Sequence, residues 1–115
     1  MTDHAAAERR RIRLMKESGF DAIRAAHNPF GPAFLNACDE LGMLVVEEAF
    51  DEWVMGRTSF GLHVTFEQCW EKDLEDMITR DYNHPCIVMW STGNEVEERD
   101  GTADGFAWAK RLADK

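Results

Sequence analysis

The chain has 115 residues, 44% of them hydrophobic, with four Trp, seven Phe and a formal net charge of −9. That length fits one small domain or part of a larger one, and the composition is that of a packed globular core rather than a disordered chain. The acidic balance argues against a phosphate-backbone binder, which needs cations to neutralise phosphates, so no nucleic-acid partner is expected. A neutral or cationic small substrate, or a protein partner, fits the charge better.

No apolar run approaches the roughly 20 residues needed to span a bilayer, so no membrane partner is expected either. The N-terminal stretch MTDHAAAERRRIRLM is charged and lacks the apolar core of a secretion signal. Cys38, Cys69 and Cys86 are odd in number and carry no CxxC or Cys/His zinc spacing. Each lies in an apolar pattern and is expected in the core. These features favour a reduced, cytoplasmic setting.

The elements follow in chain order. Ala5, Glu8, Ile12 and Met15 fall at three- and four-residue spacing and predict a helix over Ala5–Ser18, stopped by Gly19. The basic run Arg9, Arg10, Arg11 and Arg13 reads as its solvated face. Phe20–Ala25 predicts a short strand that opens into a loop, Ala26–Pro32, because two prolines and a glycine exclude regular structure there. Pro32 opens a second helix, where its missing N–H has no role, and Gly42 ends it after Leu41. Met43–Val46 is a continuous apolar run, a second buried strand with an acidic, aromatic exit at Glu47–Trp53. After a loop, Val54–Val64, a third helix is predicted over Thr65–Tyr82, with Phe66, Cys69, Trp70, Leu74, Met77, Ile78 and Tyr82 on its apolar stripe. Ile87–Trp90 predicts a third buried strand, Val96–Asp104 a loop and Gly105–Ala113 a last helix.

Strands that read as apolar runs and alternate with helices predict an α/β fold with a parallel sheet. Right-handed crossovers bring the C-terminal ends of all three strands to one edge, where such folds place their sites. That edge collects Arg24 and His27, then Glu48, Asp51 and Trp53, then Asn94 and Glu95. Glu95 reads as a general acid just past an apolar strand, with Asn94 beside it to bond a hydroxyl. Its bland alternative is a capping or surface glutamate in the acidic tail formed by Glu97, Glu98 and Asp100. His27 is either a binding group in a Pro/Gly loop or a turn histidine. Arg24 needs an anion partner wherever it is buried. Glu47, Glu48, Asp51 and Glu52 could hold a hard metal, but alternation sends Glu47 and Glu48 to opposite sides and no histidine stands at ligand spacing. Trp70 is expected in the core, and Trp53 as an apolar platform for a sugar ring.

Two stretches, FDAIRAAHNPFGPAFLNACDELGMLVV from Phe20 and DYNHPCIVMWSTGNE from Asp81, resemble signature segments of glycoside hydrolase family 2. That family holds β-galactosidases, β-glucuronidases and β-mannosidases. The resemblance runs from about Ala5 to Arg99. The wording AHNP, EEAFDEW and WSTGNE is most similar to the bacterial β-galactosidase branch. It implies a (β/α)8 TIM barrel, of which this chain is a part, from about barrel helix one to helix four with barrel strands two to four. It also implies a retaining double displacement.

In that frame Glu95 is the catalytic acid/base and Asn94 contacts the sugar 2-hydroxyl. Arg24 supports the nucleophile carboxylate, His27 lies at the sugar subsite and Asp51 reaches sugar hydroxyls. Some members carry a magnesium ligand near Glu52 with a histidine two residues on. Here that position is Val54, and no metal or other cofactor is expected. Asp21 and Tyr82 also depart from the common pattern, away from the presumed chemistry. The family's nucleophile follows barrel strand seven, which has no match here. The expectation is therefore a barrel fragment, inactive alone, that pairs with the remainder of the barrel or with itself through open sheet edges. Another specificity of the family, or a non-catalytic sugar-binding or assembly module, are the competing readings.

Overall fold

The computed structural model describes residues 4–115. Helices α1 (His4–Glu17), α2 (Pro32–Leu41), α3 (Phe66–Asp81) and α4 (Ala103–Ala113) alternate with strands β1 (Ala22–Arg24), β2 (Leu44–Glu48) and β3 (Ile87–Ser91). The strands form one parallel sheet in the order β1-β2-β3. Arg24 pairs with Val46 in register, and Glu48 with Ser91, so the three strand ends meet at one edge. A register irregularity between Val45 and Val46 interrupts the pairing of β2 with β3.

Local chemistry explains the boundaries. Pro32 starts α2, and Gly42 ends it in the left-handed region at φ 69°, its N–H bonding the Cys38 carbonyl. Thr102 caps α4 by accepting from the Gly105 N–H at 3.3 Å, which begins that helix two residues before the expected Gly105. β2 runs two residues beyond the expected Val46, because the two carboxylates that follow are buried and hydrogen-bonded. The loops expected over Val54–Val64 and Val96–Asp104 each contain a short 3-10 turn, Leu62–Val64 and Glu97–Asp100.

Two core clusters hold the layers together. Ile12 of α1, Phe34, Leu35, Ala37 and Cys38 of α2, and Met43, Val45 and Cys86 form the first. Phe50 and Trp53 after β2, Phe66, Trp70, Leu74 and Met77 of α3, and Leu112 of α4 form the second. The Phe66 and Trp70 rings meet Trp108 edge-on, at 5.4 and 5.8 Å between centroids. Cys38 and Cys86 are buried as expected, whereas Cys69 is half-buried and its thiol donates to the Thr65 carbonyl. Tyr82, expected on the apolar stripe of α3, is exposed one residue past its end.

The middle of β3 corrects the reading of a buried strand. Val88 and Trp90 share one face by alternation and Met89 lies on the other, yet all three are exposed. β3 is an edge strand, and the two core clusters draw little from it: among the described residues its middle is covered on neither face. No helix among the described residues is long and apolar enough to cross a membrane.

Alternation parts the two strand-end glutamates. Glu47 is fully buried; its Oε1 accepts from the Phe30 N–H at 2.8 Å, while Oε2 has no partner. Burial pushes its carboxyl up to about 7, and nearby Asp81 adds to the rise. A carboxyl raised on folding binds its proton more tightly in the folded state, so it favours folding below its ordinary range. That contribution is lost as pH rises through 7. Glu47→Gln is expected to flatten the decline in stability between about pH 5 and 7, measured by urea unfolding across that range. An unchanged slope would count against this assignment.

Asp39 of α2 clamps the turn before β3. Its two oxygens accept from the Cys86 N–H at 2.9 Å and from His84 Nδ1 at 2.6 Å. Metal-capable atoms of Asp39, His84 and Cys86 thus lie within 4.8 Å of one another, a grouping invisible in a search for contiguous zinc spacing. Here they serve as a hydrogen-bonded link between α2 and β3.

Candidate active site

At the C-terminal edge of the sheet the polar strand ends interlock. Glu48, fully buried, is the hub. It accepts from Arg24 Nε at 3.0 Å and Nη2 at 3.1 Å, from the His27 backbone N–H at 2.8 Å, and from the Ser91 hydroxyl at 2.8 Å. All three strand ends are therefore tied through one carboxylate. Burial pushes the Glu48 carboxyl up, but the bonds from Arg24, His27 and Ser91 outweigh it and hold the pKa below the usual range. Arg24 itself is half-exposed, and it is the buried Glu48 that needs the pairing.

The next layer sits one step further out. Arg24 Nη2 also donates to Asn94 Oδ1 at 2.5 Å. Asn94 Nδ2 donates to Asp51 Oδ1 at 3.1 Å, and its backbone N–H bonds the Phe50 carbonyl. His27 Nδ1 lies 2.7 Å from the same Asp51 oxygen and 3.1 Å from Asn94 Nδ2, so the three side chains form one closed cluster. Asp51 also pairs with Arg57, whose Nη2 donates to the Asp51 carbonyl at 2.8 Å. As at Glu48, burial alone would raise the Asp51 carboxyl, and the bonds from His27, Asn94 and Arg57 bring it below its usual range.

Two non-glycine residues of this edge occupy the left-handed region, His27 at φ 86° and Glu95 at φ 45°. Each lies in the loop just beyond a strand, His27 after β1 and Glu95 after β3. Such conformations persist where surrounding contacts over-determine them, often at functional sites. Those contacts are the His27 N–H bond to Glu48 on one side and the anchored Asn94 on the other. Asn94 is buried, whereas Glu95 is exposed and its carboxylate accepts no hydrogen bond among the described residues. An open groove of about 510 Å³ begins at His27, Asn28 and Asp51 and runs past Phe50 to Leu62.

Trp53 departs from the expected platform. It is 5% exposed, part of the second core cluster, and its indole N–H bonds the Thr92 carbonyl at 2.8 Å. A Cβ on Gly93 would meet that indole nitrogen at 2.8 Å, so the 92–94 turn lies directly on the ring. A stacking platform needs an open ring face, and here the ring supports the turn that carries Asn94 and Glu95. Sequence patterns also pass over three contributors. Ser91 reads only as the small polar residue that ends the strand, Arg57 sits in a loop without motif, and the role of Glu48 emerges only when three strand ends are brought together.

A parallel sheet backed by helices, with interlocked polar groups past its strand ends, defines a segment of an α/β barrel. Residues 5–115 match the model of the glycosyl hydrolases family 2 TIM barrel domain, and the chain belongs to that family. It is 44% identical over 97 residues to the β-galactosidase BoGH2A of Bacteroides ovatus, covering 83% of this chain and 11% of that protein. A putative β-glucuronidase of Formosa agariphila is 38% identical over 102 residues, covering 89% of this chain and 10% of that protein. Among solved structures, a family 2 member from Bacteroides cellulosilyticus superposes with a TM-score of 0.91 at 45% identity, covering 94% of this chain and 14% of that one. The chain spans about a tenth of the length of these curated relatives.

Proposed function

We propose that this chain is the acid/base segment of a retaining, β-galactosidase-like glycoside hydrolase acting on terminal β-linked sugars. The observation that carries this reading is the constellation at the strand ends: Arg24, Asn94, Asp51 and His27 locked around Glu48, with Glu95 next to Asn94 and open to solvent. Glu95 is the general acid that protonates the leaving-group oxygen and then the base that activates water. Asn94 and His27, held against Asp51 and each other, are the groups that meet sugar hydroxyls. Arg24 keeps Asn94 in place and holds charge against Glu48. Retention requires a second carboxylate roughly 5–5.5 Å away as nucleophile. Glu48 is buried and fully bonded, so the nucleophile belongs to polypeptide outside these residues.

The charge pattern favours a neutral sugar over a uronide. Both guanidiniums at the site, Arg24 and Arg57, already face carboxylates. A substrate carboxylate would find no unengaged cation among the described site residues and would meet Glu48, Asp51 and Glu95 instead.

The test compares aryl β-galactoside, β-mannoside and β-glucuronide in a polypeptide that completes the barrel. Turnover is expected on the galactoside and none by this chain alone. Preference for the glucuronide would overturn the specificity. Galactoside binding without turnover by the completed polypeptide would favour a sugar-binding module. For the isolated chain, self-association through the uncovered edge of β3 is expected, visible as concentration-dependent sedimentation. A single monomeric boundary across the concentration range would contradict it.

A further inference from the structure

The segment between β2 and α3 is folded onto one buried carboxylate. Glu52 is 4% exposed. Its Oε2 accepts from the Arg57 N–H at 2.9 Å, and its Oε1 from the His63 N–H at 3.2 Å and from His63 Nδ1 at 3.1 Å. A Cβ on Gly61 would stand 1.8 Å from Glu52 Oε1, and one on Gly56 1.9 Å from His63 Nδ1, so both glycines are needed for the approach. Buried Glu98 pins the start of the segment by accepting from the Met55 N–H at 2.7 Å. The outcome is that Arg57 turns back onto Asp51, bonding both its carbonyl and its carboxylate. Asp51 in turn holds His27 and Asn94.

We propose that Glu52 and His63 are positioning residues for the sugar site: they fold residues 54–64 into a strap that sets Arg57 against Asp51 and so fixes the carboxylate that orients His27 and Asn94. This rests on the reading of those residues as sugar contacts. It assigns Glu52 to backbone N–H groups and an imidazole rather than to a metal ion. The carboxylate acts through Arg57 and touches no substrate.

The experiment is NMR following the His27 imidazole and the Asn94 side-chain amide, first in the labelled chain without sugar and then, with methyl β-galactoside, in a polypeptide that completes the barrel. Glu52→Gln cannot accept from three N–H groups through two oxygens, and Arg57→Met removes only the exposed end of the relay. Each is expected to move the His27 and Asn94 signals while the sheet signals stay dispersed, and to weaken methyl β-galactoside binding about tenfold. Changes in Glu52→Gln confined to residues 54–64, with His27 and Asn94 as in the parent, would overturn the proposal, as would Arg57→Met leaving them unmoved. The sugar-free spectra decide the positioning role. If methyl β-galactoside perturbs nothing in the polypeptide that completes the barrel, the sugar-site reading fails separately.

Discussion

In a polypeptide that completes the barrel, Glu95→Gln is expected to slow hydrolysis of an alkyl β-galactoside about 10²–10⁴-fold, the span that a positioned general acid contributes. The amide preserves the shape of the side chain and removes the proton. The loss therefore depends on how much the leaving group needs that proton. A dinitrophenyl galactoside departs as a stable phenolate, so its glycosylation step should be nearly unaffected, and the glycosyl-enzyme should then accumulate for want of a base to activate water. Pre-steady-state bursts with the activated substrate, alongside kcat/KM for the alkyl one, separate the two steps. An equal loss on both substrates would show that Glu95 binds or orients and does not transfer the proton. The expected loss rests on the proposed role of Glu95, which stands exposed beside an anchored asparagine on backbone in the left-handed region.

Arg24→Met is expected to destabilise the chain by about 3 kcal/mol, the cost of leaving a buried carboxylate without its cation. Glu48 is fully buried and receives two bonds from the guanidinium, so methionine strands its charge rather than removing it. The sign of the pH dependence follows. Arg24 helps hold the Glu48 pKa low, and that stabilisation is present above the ordinary carboxylate range and lost as pH falls through the depressed value. The deficit of the variant is therefore largest near neutrality and shrinks in acid, where Glu48 takes a proton. Arg24→Met with Glu48→Gln should recover most of the loss, since no charge is then left unpaired. Urea unfolding of the two variants at pH 7 and pH 4.5 checks this; a double variant as unstable as the single one would show that packing, not charge, sets the cost.

Element type was legible wherever periodicity was strong, as in α2 with Pro32 and Gly42 at its ends and α3 with its stripe from Phe66 to Met77. The end of β2 was not. Glu47 and Glu48 read as an acidic exit past the strand, and only partners 17 to 43 residues away, Phe30, Arg24 and Ser91, allow the strand to bury them. Exposure on β3 was illegible for the opposite reason: an apolar run states what a strand prefers, whereas what covers it depends on neighbouring elements. Arg24, His27, Asp51 and Asn94 could be gathered from the topology alone, because parallel strands send their exits to one edge. Trp53 could not be placed that way, since an aromatic after a strand fits a platform and a supporting ring equally well. Arg57 and Glu52 meet through tight loop packing that leaves no pattern beyond two glycines.

The register irregularity at Val45–Val46 sits just upstream of two adjacent carboxylates with opposite destinations. Glu47 enters a pocket against Phe30 and Arg80, and Glu48 the junction of the strand ends. Side chains alternate with a period of two, so parity alone assigns each address. Deleting or inserting one residue between Met43 and Val46 would turn each acid to the opposite face of the strand, with composition barely changed. Natural variation in this strand should therefore tolerate exchange among apolar side chains far more readily than any change of its length.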